Sequence, residues 1–213
     1  MRLTQLDHRD FRFLEDGDKC YHLGEYTARA GFRASETNQH ISNLKKRPTV
    51  PPLELRWKRN AIEYWGNEIA ETNLNWDFCT ENVTFVPFPC SKPIGHELYD
   101  DRMVLVLQVA ARKHPGMDIR PLLLQTAARD PQHRCSERAS PEEIAAQLQI
   151  DRGQICVPLK QTVMVVDDVI TRGASFAAAK QLLFGLQGVQ SIIGIFLAKT
   201  IHLPLDPAEF FDD

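Results

Sequence analysis

The chain has 213 residues, 43% hydrophobic and 25% charged, with 25 Lys and Arg against 28 Asp and Glu and a formal net charge of −3. This length allows one or two domains with a substantial core, and the composition excludes a disordered tail, a collagen-like repeat and a coiled-coil rod. The charge disfavours nucleic-acid binding through bulk positive charge, although residues 1–60 hold 12 Lys and Arg against 8 Asp and Glu and leave room for a local basic patch.

In chain order, residues 20–26 read as a short strand entering a turn. Ser35 is placed as the N-cap of a helix reaching about Leu44, and the basic run Lys45, Lys46 and Arg47 suits that helix's negative end. The run 47–52 (Arg-Pro-Thr-Val-Pro-Pro) is the clearest break. It divides an N-terminal extension or hood, residues 1–50, from an α/β domain, residues 51–213. Leu55, Ile62, Trp65 and Ile69 recur at helical spacing and predict a helix over 54–71, with Trp65 in the core.

Residues 82–87 predict a buried strand halted by Pro87. A loop over 88–96 and a helix over 99–113 follow. Strand signals return at 119–124, before a polar, arginine-rich stretch over 125–140. Ser140-Pro141-Glu142-Glu143 has the form of a capped helix start. Residues 162–166 are nearly unbroken and β-branched, the pattern of a strand buried on both faces of a parallel sheet. A helix over 175–186, stopped by Gly188, and a strand over 192–197 complete the series. This alternation predicts an α/β fold with a parallel sheet, in which ligands sit beyond the carboxyl ends of the strands.

No apolar run nears the roughly 18–20 residues of a membrane span, and the N-terminus has no apolar export core. Cys20, Cys79, Cys90, Cys135 and Cys156 are scattered, odd in number and without a CxxC pair. They argue against a disulfide framework and a zinc ribbon. A cytoplasmic location is expected, with no membrane partner.

The stretch that carries chemistry is residues 165–175, VVDDVITRGAS. Thr171, Gly173, Ala174 and Ser175 form a small-residue turn at a helix start, where backbone amides and the helix's positive end converge on an anion. No Lys follows Gly173, so this is not a triphosphate P-loop; it suits one phosphate monoester. Asp167 and Asp168 beside a phosphate repel one another, by roughly 1 kcal/mol at about 4 Å even in water. Sugar hydroxyls or a divalent cation would relieve that repulsion. A phosphate on one side and a diol on the other describe a 5-phosphorylated ribose.

This stretch resembles the phosphoribosyl-diphosphate (PRPP) binding motif of the type I phosphoribosyltransferases: a hydrophobic strand, two acidic residues, two aliphatics and a T-T-G-x-[TS] turn. Arg172 departs from the usual small residue. Residues 83–93, VTFVPFPCSKP, are similar to that family's pyrophosphate strand and loop, with Ser91 and Lys92 as candidates. Residues 125–140, QTAARDPQHRCSERAS, resemble the region before the motif in ComF-like members. There Arg129, His133, Arg134 and Arg138 are candidates for a hood or for diphosphate contacts.

The resemblance covers about residues 80–200. It implies a parallel-sheet core with helices on both faces, and transfer of 5-phosphoribosyl from PRPP to a nitrogen nucleophile with release of pyrophosphate. It also implies Mg2+ as cofactor. Asp167 and Asp168 would orient the ribose and hold the metal, directly or through ribose or water; Thr171, Arg172, Gly173, Ala174 and Ser175 would hold the 5-phosphate. The implied partners are PRPP and a small-molecule acceptor, and homodimers are common in the family. The alternative is a non-catalytic PRPP- or nucleotide-sensing protein, or a ComF-like protein linked to DNA uptake or processing, with nucleic acid as partner.

Overall fold

The structure, a computed structural model, describes residues 2–127 and 139–203. Six strands form a central sheet: β1 (Thr4–Gln5), β2 (Lys19–Thr27), β3 (Val83–Pro87), β4 (Asp118–Ile119), β7 (Thr162–Ile170) and β8 (Ser191–Ile201). Their spatial order is β1-β2-β8-β7-β3-β4. Only the short β1–β2 pairing is antiparallel; the other four are parallel. A separate antiparallel ribbon joins β5 (Leu123–Gln125) to β6 (Leu148–Ile150).

Helices cover both faces. On one side α1 (Glu36–Leu44), α2 (Pro52–Ala70) and α4 (Arg102–Ala111) pack Ile41, Trp65 and Leu107 into a cluster with Phe85, Met164, Val166 and Leu197 of the sheet. On the other, α5 (Pro141–Ala145) and α6 (Ala174–Leu183) pack Ile144, Phe176 and Leu183 with Val86, Val163, Val165 and Phe196. The remaining helix, α3 (Trp76–Asn82), is short and runs straight into β3. The sheet residues explain the two layers: side chains alternate along a strand, so an unbroken apolar run must be buried twice. Phe85 is fully buried, a contribution of roughly 3 kcal/mol for one large apolar side chain.

Local signals explain the element ends. Ser35 Oγ accepts the Asn38 N–H at 3.0 Å and caps α1. The fully buried Asn38 side chain then bonds the Thr27 N–H and carbonyl, each at 2.9 Å, and ties α1 to the end of β2. Ser140 and Glu143 form a complete capping box at α5. Gly66 marks where α2 meets α4, since a Cβ there would run into the Val109 side chain.

Three expectations meet a different arrangement. Strand β2 bonds to β8 from Lys19↔Ile193 to Thr27↔Ile201. The N-terminal residues are therefore part of the central sheet, and the proline-rich 47–52 run is the connection between α1 and α2. The strand read over 119–124 is two pieces: Pro121 has no N–H to give a ladder, so β4 ends before it and β5 starts a new ribbon. Helix α4 begins at Arg102 rather than near Tyr99, with the Asp100 carboxylate accepting the Arg102 N–H at 3.2 Å. No helix among the described residues is long and apolar enough to cross a membrane.

The connections define a crevice. From β3 the chain passes through α4 to β4, its neighbour on one side; from β7 it passes through α6 to β8, its neighbour on the other. Strands β3 and β7 are adjacent, and their two helices lie on opposite faces. The space beyond their carboxyl ends is the topological switch point, where open α/β sheets bind ligands.

Candidate functional site

Asp167 and Asp168 lie near the carboxyl end of β7, and strand alternation sends them to opposite faces. Asp167 continues the Val163–Val165 side, towards α6. Asp168 continues the Met164–Val166 side, towards α1 and α4.

Asp168 is buried and accepts from two cations. Lys45 Nζ, just past α1, lies 3.0 Å from one carboxylate oxygen. Arg102, the first residue of α4, reaches the other through Nη2 at 2.7 Å and Nε at 3.1 Å. The same guanidinium donates through Nη1 to Asp100 at 2.7 Å, and Asp100 accepts from Lys58 Nζ, also at 2.7 Å. Lys58 in turn bonds the carbonyls of Leu44 and Lys46 at 2.6 and 2.9 Å, two groups that the end of α1 would otherwise leave open. The result is an alternating chain of charge, Lys45–Asp168–Arg102–Asp100–Lys58. Burial alone would raise the Asp168 pKa, but the charges of Lys45 and Arg102 and their hydrogen bonds outweigh it and hold the carboxyl well below the usual range. Burial pulls the Lys58 pKa down, against the bond and charge of Asp100.

Among the described residues, no cation forms an ion pair with Asp167. It lines a cavity of about 160 Å3 together with Thr171, Arg172, Gly173, Ala174 and Ser175. Burial, and next the charge of Asp168, push its pKa up to about 7; the Asp168 N–H, donating at 2.7 Å, and the more distant Lys45 and Arg102 pull the other way. The turn residues thus surround a carboxyl that readily holds a proton.

The turn's geometry comes from Gly173. It is the N-cap of α6, with φ of 85° and no side chain to cap the helix. The amides of Ala174, Ser175 and Phe176 are those that a first turn leaves without intrahelical acceptors. A Cβ at Gly173 would also meet the Leu14 side chain at 2.9 Å. The N-terminal segment fastens onto this turn: the Phe13 N–H donates to the Arg172 carbonyl at 2.9 Å, and the Arg172 guanidinium lies over the Phe13 ring at 5.3 Å. Arg172 Nη2 also reaches the Ala139 carbonyl at 3.4 Å.

Ser91 and Lys92 sit on the loop after β3, across the crevice from the turn; Ser91 is exposed and Lys92 half-buried. Cys90 fixes that loop, its thiol donating to the Lys92 carbonyl and accepting the Asp100 N–H, both at 3.3 Å. Arg129, His133, Arg134 and Arg138 lie outside the described residues. Cys20, Cys79, Cys90 and Cys156 are free thiols. Among the described residues no group of three or more His, Cys, Asp or Glu side chains is placed to hold a metal ion.

Sequence reasoning missed Arg102, Asp100, Lys58, Phe13 and Leu14. One signal was available for the first two: the Asp100-Asp101-Arg102 run opens a helix just beyond a strand's carboxyl end. None was available for Lys58, whose partners come from two other segments. No family model and no curated protein matches the chain.

Proposed function

We propose that the chain binds PRPP and transfers its 5-phosphoribosyl group to a nitrogen nucleophile, releasing pyrophosphate. The observation that carries this reading is a cavity at the carboxyl end of β7, walled by Asp167 and by the uncapped turn that opens α6. In this reading the 5-phosphate accepts from the amides of the turn and from Ser175, and Asp167 accepts from a ribose hydroxyl. Ser91 and Lys92, on the facing loop, hold the diphosphate; Lys92 serves as a point charge. Positive charge grows on the ribose as the carbon–oxygen bond to diphosphate breaks, and the chain contributes positioning and electrostatics rather than a covalent nucleophile.

Mg2+ fits the donor set in a limited way. Such ions are commonly held by one or two carboxylates, substrate phosphates and water. Asp167 offers hard oxygens to the cavity, whereas the Asp168 oxygens already accept from Lys45 and Arg102. Asp167 would therefore hold the ion, and the metal would neutralise the diphosphate's charge. Asp168 acts as a positioning residue that anchors Arg102 and Lys45 beside the crevice.

Calorimetry with PRPP and Mg2+ tests the reading: saturable binding to the unmodified chain and at least ten-fold weaker binding to Asp167→Asn are expected. Equal affinities would overturn it. A non-catalytic PRPP- or nucleotide-binding protein is the second reading, favoured by the commitment of Asp168 to the ion chain. Pyrophosphate release with a panel of nucleobases and amines separates the two, because binding without release selects the second.

A further inference from the structure

The basic character of the N-terminal residues comes to the surface where α2 begins. Residues three and four apart share a helix face, so Leu53, Arg56, Trp57 and Asn60 form one exposed stripe. Leu53 is 71% and Trp57 53% exposed, and both stand clear of the core that α2 helps to build. Arg59 flanks the stripe on the side of Arg56. Glu54 and Lys58 flank it on the other side, where they fasten the turn that precedes the helix. Glu54 accepts from Lys46 Nζ at 2.9 Å, and Lys58 Nζ donates to the Lys46 carbonyl, also at 2.9 Å. Arg47 follows on that turn. Trp57 therefore stands between Arg56 and Arg59 on one side and the turn of Arg47 on the other.

The ion pairs sort these cations by type. Lys45, Lys46 and Lys58 are spent on Asp168, Glu54 and Asp100. Arg47, Arg56 and Arg59 are exposed and form no ion pair with another described residue, and Glu63, further along the same face, is taken by Arg112. Three guanidiniums are left to an outside anion, and their forks match phosphate oxygens two at a time. Beyond Trp57 the stripe turns polar at Asn60 and Glu63, which leaves too short an apolar face for a helix that lies in a lipid surface. A flat ring among cations suits instead a polymer in which bases and phosphates alternate, because bases stack on the ring while phosphates meet the arginines.

We propose that the start of α2 binds single-stranded nucleic acid, with one base stacked on Trp57 and phosphates held by Arg47, Arg56 and Arg59. This surface shares no residue with the cavity at the α6 turn, so the proposal is independent of the phosphoribosyl reading and is tested with neither PRPP nor Mg2+ present. A fluorescein-labelled oligothymidylate is titrated with the full chain and followed by anisotropy. Saturable binding is expected, with log affinity falling against log salt at a slope of about −2, three phosphates at about 0.7 each. Trp57→Ala should weaken binding about ten-fold, a usual loss for one stacked base, and Trp57→Phe, which keeps a ring, should retain most of the affinity. Arg56→Gln combined with Arg59→Gln should bring the slope to about −0.7. The three substituted positions are exposed, so the variants leave the core intact. Absence of saturation, an affinity indifferent to Trp57→Ala, or a slope unchanged in the double arginine variant would overturn the proposal. Capture of the chain by phosphatidylserine vesicles without binding of the oligomer would overturn it too, and would give the surface to an anionic membrane instead.

Discussion

Asp167 and Asp168 are neighbours on one strand, yet their surroundings are opposite. Asp168 is locked between Lys45 and Arg102 and holds its charge firmly; Asp167 faces a cavity, has no ion pair among the described residues and is pushed towards its neutral form. The backbone alone produces this difference, since successive side chains leave opposite faces of a sheet. An acidic pair that reads as one chemical unit is thus divided into a carboxylate bound in an ion chain and one that lines a cavity. The closed face ties four segments together through paired charges, and the open face leaves a carboxyl on a cavity wall.

Breaking the closed face should have the largest effect. Arg102→Met leaves Asp168 with the half-exposed Lys45 and Asp100 with Lys58 alone. A loss of about 3–5 kcal/mol in urea unfolding is expected, the usual result of stranding buried charge; a loss below about 1 kcal/mol would mean the ion chain is incidental. Straining the open face comes next. Gly173→Ala places a side chain in left-handed backbone and against Leu14, and should cost about 2 kcal/mol. A double-mutant cycle with Leu14→Ala should show a coupling of at least about 0.5 kcal/mol, as expected for residues in contact.

The smallest effect sharpens the contrast through pH. A carboxyl whose folded pKa is raised lowers stability above that pKa, and the penalty vanishes as pH falls to the unfolded value. Asp167→Asn should therefore stabilise the chain by about 1–2 kcal/mol above pH 7. The gain should fade between pH about 7 and about 4, the window set by the folded and ordinary values of Asp167. Asp168 works in the opposite sense, its contribution being present above the ordinary carboxylate range and lost in acid. Thermal unfolding of Asp167→Asn and the unmodified chain across pH 4–8 checks the sign; a gain that grew towards pH 4 would reverse the assignment.

Much of the architecture was legible from local patterns. The Ser35 cap, the Ser140–Glu143 capping box, the buried run that became β7 and the turn at Gly173 are encoded within a few residues each. What escaped is tertiary. Arg102 and Asp168 are 66 positions apart, and no periodicity announces such a pairing. Lys45 has an adequate local explanation at the end of α1, which conceals its reach to Asp168. The alternation that separates the two aspartates was readable, but an adjacent acidic pair invited a shared role. The N-terminal strand looked detachable because its hydrogen-bond partner, β8, lies almost at the other end of the described chain.

Fastening the first residues onto the turn before α6 has a consequence for biosynthesis. Lys180 bonds Asp18, 162 positions earlier, and Phe13 and Leu14 rest on Arg172 and Gly173. At ribosomal speeds of ~5–20 residues per second, the nascent N-terminal segment waits roughly 10–30 s for the surface it covers to be synthesised. During that interval Phe11 and Leu14, both buried in the finished fold, are left without their final neighbours, and a chaperone that shields short apolar stretches should raise the yield of folded chain.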